Sequence, residues 1–371
     1  MSDPLAMPLP VEALPQRIRR FADPSAPAAA RTMAAKGLVP VQGVELVTLL
    51  AQLNSDPDPK LREAASASFE KMPENVLLPA LEGELHPAVL DHVLHHFPSR
   101  EDVAERVVLN QLSDPRTVEF AAKNASERLG EIIAENQQRL LGAPTIVEAL
   151  YKNRNVRMST ADRLVELCAR NGVELTGIPT FKDHAEAVQG QLIPEPSDEP
   201  LPSDIAFAEA AVEHGDEDAV EIDKVDASEE VKEKFKPLSF RVKKMTMPEK
   251  LRLAIVGDAA ARSLLVRDSN RTVANAVLNS PSITEKEVIS FAYSREISAD
   301  ILRQIGNKPK WLRTMEIKRA LVFNPKTPVN ISMRFLNHLR VQDLKGVSKS
   351  RGIPGPIKNA ARQRLEKKMK K

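Results

Sequence analysis

A chain of 371 residues exceeds one ordinary core and suggests two or three folded units. An aromatic share of 4% speaks against a base-stacking platform, 28 Pro beside 14 Gly speak against a hairpin-rich β fold, and the single Cys168 excludes an internal disulfide or a multi-cysteine zinc site. The net charge of +2 is a sum of unlike parts: residues 1–190 carry 20 basic and 26 acidic side chains, residues 191–235 carry 3 and 15, and residues 236–371 carry 30 and 10.

Residues 1–37 are rich in Pro and Ala and read as a flexible tail. The first ten residues lack a basic stretch followed by an apolar core, and no later run reaches the ~18 apolar residues of a membrane span. A cytoplasmic protein without a membrane span is expected, and one cysteine fits a reducing compartment.

Residues 38–190 carry a repeat. Pro59, Pro87, Pro115 and Pro144 are spaced 28, 28 and 29 residues apart, and Leu53, Leu81 and Leu109 each stand six residues before the first three. Proline is tolerated in the first turn of a helix, where its missing N–H has no partner to lose. Asp58 and Asp114 stand directly ahead and supply capping oxygens. Each unit therefore reads as a helix, a short turn and a Pro-initiated second helix, and four such units make an α-solenoid. Ser159 and Asp162 open a later helix with capping-box spacing, closed by Asn171 and Gly172.

Residues 191–238 are Pro-rich and acidic and read as a disordered linker. Residues 239–371 repeat again. Ala276 to Pro281 resembles Ala320 to Pro325 at an offset of 44 or 45, each followed by a Thr-opened helix. The juxtaposed charges predict an electrostatic clamp between the acidic segment and the basic half.

Helix pairs with a Pro-Xaa-(Val/Leu) start to the second helix resemble HEAT-like repeats of the leucine-rich-variant type. Glu148 to Tyr151, Arg157 to Thr160 and Asn324 to Pro328 also resemble an uncharacterised bacterial HEAT-like family of unknown function. The resemblance covers about 150 residues of the first half and about 130 of the second. It implies an all-α fold with two α-solenoid domains joined by the acidic linker, and it carries over no catalytic residue.

The chemistry-bearing residues are few. His92 and His95, or His92 and His96, share a helix face, but no third ligand is spaced to complete a metal site, so a solvated helix face is the plainer reading. Cys168 between apolar neighbours reads as core. No phosphate loop or nucleophile elbow occurs. No catalytic, cofactor or metal residue is assigned. A repair-type nucleic-acid hydrolase on this fold would have to draw on Asp258 or Asp268, which capping also explains. Two basic regions are candidates for an anion or partner surface. One is the turn with Lys152, Arg154 and Arg157. The other is the basic half with Arg267, Arg271, Lys308, Lys310, Arg313, Lys358, Arg362 and Arg364. A non-enzymatic scaffold holding a protein partner is the leading expectation, with nucleic-acid binding through residues 236–371 as the alternative. Nothing in the sequence sets the oligomeric state.

Overall fold

The four periodic prolines each begin a helix: Pro59–Glu70, Pro87–His96, Pro115–Asn124 and Pro144–Lys152. Asp58, His86 and Asp114 cap the first three, accepting from the backbone N–H groups of Lys60, Ala88 and Arg116 at 3.0, 3.2 and 2.9 Å. A cap of this kind contributes about 1 kcal/mol. The fourth helix follows Ala143, which has no side-chain acceptor. The companion helices are Gly43–Asn54, Glu74–Leu81, Glu101–Leu109 and the broken pair Glu127–Glu135 and Gln137–Gly142.

These elements belong to a computed structural model that describes residues 3–189, 195–215, 217–222 and 228–369. Part of the acidic segment, at 191–194, 216 and 223–227, lies outside the described residues, as do Lys370 and Lys371. The described residues hold 24 α-helices and one two-stranded sheet, so the fold is all-α. The chain divides into two compact units, Met1–Val156 with Asn171–Leu175, and Arg157–Arg170 with Thr176–Lys371.

In the first unit the companion helices pack side by side in chain order, and Pro87–His96, Pro115–Asn124 and Pro144–Lys152 do the same in a second layer. Leu50, Leu77, Val89, Val107, Val118 and Ile146 fill the space between the layers and are at most 1% exposed. Gly83 closes the turn after Glu74–Leu81, where a Cβ would stand 2.6 Å from a Val44 methyl.

The second unit alternates in the same way. Met247–Val256 packs on Arg271–Leu278, which packs on Ala299–Ile305. Between them Ala259–Leu265 packs on Glu285–Tyr293, which packs on Met315–Phe323, which packs on Val341–Lys349. The offset of 44 or 45 between Ala276 to Pro281 and Ala320 to Pro325 thus compares helices three places apart in the alternation. That is one and a half repeats of the helix-pair alternation.

One device recurs in both units. A helix ends with carbonyl oxygens that no intrahelical N–H can reach. Here a donor side chain from the next repeat supplies the bond. Asn110 Nδ2 donates to the carbonyls of Leu81 and Gly83 at 2.7 and 2.9 Å, and Asn153 Nδ2 donates to those of Ala122 and Ala125 at 2.9 Å each. Arg139 donates to the carbonyls of Val108 and Asn110. In the second unit Lys308 Nζ reaches the Leu278 carbonyl at 2.7 Å, Asn324 Nδ2 reaches those of Ala292 and Ser294 at 2.8 and 2.6 Å, and Arg334 reaches that of Gly306. The separations run from 27 to 32 residues. These bonds tie each repeat to the one before it at a fixed position along the chain.

The described part of the acidic segment carries defined structure. Helix Pro202–Ala210 is followed by the antiparallel strands Val220–Ile222 and Glu229–Val231 and a short turn Glu233–Phe235. Phe207, Ala219 and Phe235 are at most 1% exposed. The backbone N–H and hydroxyl of Ser159 donate to Asp204 at 2.8 and 2.9 Å. Ser290 Oγ donates to Asp218 at 2.7 Å, and Arg267 Nε donates to Glu229 at 2.8 Å. The acidic segment is therefore a strap laid on the second unit, and the expected contact between acidic and basic charge is present there.

Candidate functional site

The eleven candidate cations separate by what they touch. Lys152, exposed at the end of its helix, lies 3.9 Å from Glu148. Arg154 is half-buried in the same turn of the first unit. Arg157 falls in the second unit, where it donates to the carbonyls of Ser197 and Asp198 and anchors the strap. Arg267 is enclosed by Glu229 and the Ser263 carbonyl. Arg271 pairs with Asp300 at 2.9 Å. Lys308 spans the Leu278 carbonyl and Asn279, with the Trp311 ring 4.8 Å away; burial, aided by Lys310, lowers its pKa. Lys310, Arg313 and Arg362 are exposed, while Lys358 and Arg364 are half-buried.

Charge pairing changes along the second unit. Residues 236–303 hold 12 basic and 7 acidic side chains, and residues 304–369 hold 16 and 3. Among the described residues, seven of the first twelve have a carboxylate partner, including Arg241 with Glu209 at 2.8 Å and the bidentate Arg262 with Glu287 at 2.6 Å. Of the sixteen downstream, Arg319 alone has one, Asp343 at 3.1 Å. The strap and the local acids neutralise the upstream half of this unit, and the downstream half stays cationic.

The first unit offers a different surface. Leu53 and Leu81 are fully buried at their repeat positions, whereas the equivalent Leu109 is 54% exposed. The helix Glu101–Leu109 stops at Leu109, and Asn110 turns inward to cap the previous repeat. Leu112 is 45% exposed in the same loop. The loop is pinned from several directions: Leu112 N–H donates to Asn110 Oδ1 at 2.9 Å, Ser113 Oγ to the Val107 carbonyl, and Arg139 to the carbonyls of Val108 and Asn110. Leu109 and Leu112 line an open groove of about 750 Å³ with Glu82, Glu84, Arg106 and Gln111. Arg106 is held by Glu82 at 3.0 Å, and Glu84 is exposed. The sequence pattern concealed this surface, because Leu109 sits at a position that is core in its two neighbours.

The remaining chemistry-bearing residues have structural partners. Asn54 Nδ2 lies 3.3 Å from His92 Nε2 and 3.2 Å from His96 Nδ1, over the buried Phe69 ring. Burial, with His96 beside it, pushes the His92 pKa down to about 4. Among the described residues no group of three His, Cys, Asp or Glu side chains is placed to hold a metal, and no helix is long and apolar enough to cross a membrane. Cys168 is fully buried, which pushes its thiol up to about 11. Asp258 caps the helix Ala259–Leu265 by accepting from Ala261 N–H at 3.0 Å and also meets His214. Asp268 pairs with Lys250 at 2.8 Å. Comparison with protein-family models, with curated proteins and with solved structures finds no match to this chain.

Proposed function

We propose that the chain is a non-enzymatic binding scaffold of HEAT-like repeats that holds a protein partner. The observation behind this reading is the rigid loop that presents Leu109 and Leu112 beside Glu82 and Glu84. Two large apolar side chains held outward by a hydrogen-bonded loop lose little entropy on docking, and such preorganisation favours affinity. With Glu82 paired to Arg106, Glu84 gives the rim a net negative charge, which suits an extended or helical peptide with two apolar side chains and a neighbouring Lys or Arg.

A peptide-display selection against the full chain tests this. The expected outcome is enrichment of basic, apolar-anchored peptides whose binding is lost on Leu109→Glu with Leu112→Glu. Both positions are exposed, so the variant keeps its helical content. Selected peptides that bind the double variant unchanged refute the assignment of this groove.

A further inference from the structure

We infer that the last repeats, residues 304–369, form a backbone-reading surface for double-stranded nucleic acid. The excess of 13 positive charges here is concentrated where acidic partners are scarcest, with one ion pair among the described residues. The cations stand on elements that pack together. Helices Val341–Lys349 and Gly355–Met369 lie side by side. Lys345 and Lys349 are four residues apart on one exposed helix face, Arg351 is exposed in the turn between the helices, and Arg362 is exposed on the second. Lys310 and Arg313 are exposed around the short turn Trp311–Arg313 that precedes Met315–Phe323.

What is missing from this surface selects the partner. Trp311 and Phe335 are 4% and 3% exposed and Phe323 is half-buried, so among the described residues of this stretch His338 carries the one exposed ring and no Trp or Phe forms a platform for unpaired bases. On the apolar face of the terminal helix Ile357 and Ala361 are fully buried and Leu365 is half-buried, so little of that face is offered to a lipid surface. Exposed Lys and Arg outnumber the exposed apolar side chains Met315, Val329 and Val341 in this stretch, and such cations recognise phosphates by charge and position, which a duplex presents in two regular rows. The upstream cations Arg241 and Arg267 already face Glu209 and Glu229 on the strap and lie outside the surface.

The test is fluorescence anisotropy of the full chain with labelled DNA and RNA duplexes across a salt series. The competitors are single-stranded DNA, polyglutamate and phosphatidylserine vesicles. Binding is expected at about 50 mM salt, with log affinity falling linearly in log salt. Lys310→Glu with Arg313→Glu, and Lys345→Glu with Arg362→Glu, should each weaken duplex binding at least about tenfold and lower the slope by about 2. Arg241→Ala should leave binding within about twofold, and Leu109→Glu with Leu112→Glu should leave it unchanged, so this surface and the leucine groove fail or stand separately. Circular dichroism confirms that each variant folds. Preference for DNA or RNA names the natural duplex. Absence of duplex binding, or equal or tighter binding of single strands, polyglutamate or vesicles, overturns the inference.

Discussion

Asn324→Ala is the sharpest probe of how these repeats are joined. Asn324 is 3% exposed and sits at the end of Met315–Phe323. Its amide donates to the carbonyls of Ala292 and Ser294 at 2.8 and 2.6 Å, and its oxygen accepts from Lys326 N–H at 3.0 Å. The substitution removes three bonds and strands two carbonyls inside the protein. A net hydrogen bond is worth about 1 kcal/mol and a stranded buried group costs about 1–3 kcal/mol, so the expected loss is about 2–4 kcal/mol. Trp311, the only tryptophan, is buried in the same unit and reports its unfolding by fluorescence. At an m-value of about 2–3 kcal/mol/M, the urea midpoint should fall by about 0.7–2 M. Asn324→Asp adds a diagnostic. It places a carboxylate against two carbonyl oxygens, so it should cost more than alanine at neutral pH. Its folded-state pKa is then raised, and stability should return as pH falls and the carboxyl gains a proton. Asn337→Ala, at an exposed position, is the control and should shift the midpoint little. If Asn324→Ala moves it by less than about 0.2 M, the cross-repeat amide does not hold the register and apolar packing alone does.

Other outcomes follow from the same contacts. The His92 pKa, depressed from 6.5 to about 4, means that the unfolded chain binds this proton first. Stability should therefore fall by roughly 3 kcal/mol as pH drops from about 6.5 to about 4, and His92→Gln should flatten that part of a denaturation–pH profile. Burial works against ionisation of Glu229, but Ser294 and Arg267 outweigh it and hold the carboxyl below its ordinary value, so its contribution is present above about pH 4.3 and lost as pH falls through the folded value. Glu229→Ala, which leaves Arg267 unpaired, should cost about 3–5 kcal/mol and open the strap to limited proteolysis. Because buried Phe207, Ala219 and Phe235 also anchor the strap, the sedimentation coefficient should not drop between low and high salt, whereas a clamp of charges alone would loosen. Native Cys168 should resist iodoacetamide until the chain unfolds, as followed by mass spectrometry, because its thiol is buried and its pKa stands at about 11.

What the sequence made legible was local and periodic. Four prolines at one spacing announce four helix starts, because proline at the first helical position is a backbone property that needs no tertiary context. The inner or outer placement of a side chain does need that context. Leu109 repeats the position of Leu53 and Leu81, yet the next residue, Asn110, is extended where Glu82 after Leu81 is still helical, and Asn110 takes the inward place. The cross-repeat donors were visible only as polar residues near helix ends. Lys308 therefore counted as surface charge until its contact with the Leu278 carbonyl showed a helix cap. The described part of the acidic segment holds more structure than its composition indicates, for a related reason. Its composition is that of a chain unable to bury a core of its own, but Phe207, Ala219 and Phe235 are enough when a repeat surface supplies the other side of the contact.

The same distinction sorts the positive charge of the last repeats. Lys308, Arg334 and Lys368 end on carbonyl oxygens of earlier elements, where helix C-termini concentrate negative potential. Folding alone accounts for these cations, and reversing them would test stability rather than binding. Lys310, Arg313, Lys345 and Arg362 have no such contact among the described residues, and their mutual repulsion opposes the compact state. A duplex backbone would remove that repulsion on binding. That is why the charge reversals chosen for the nucleic-acid test avoid the carbonyl-bound cations, and why they should weaken binding while leaving the unfolding midpoint unchanged or higher.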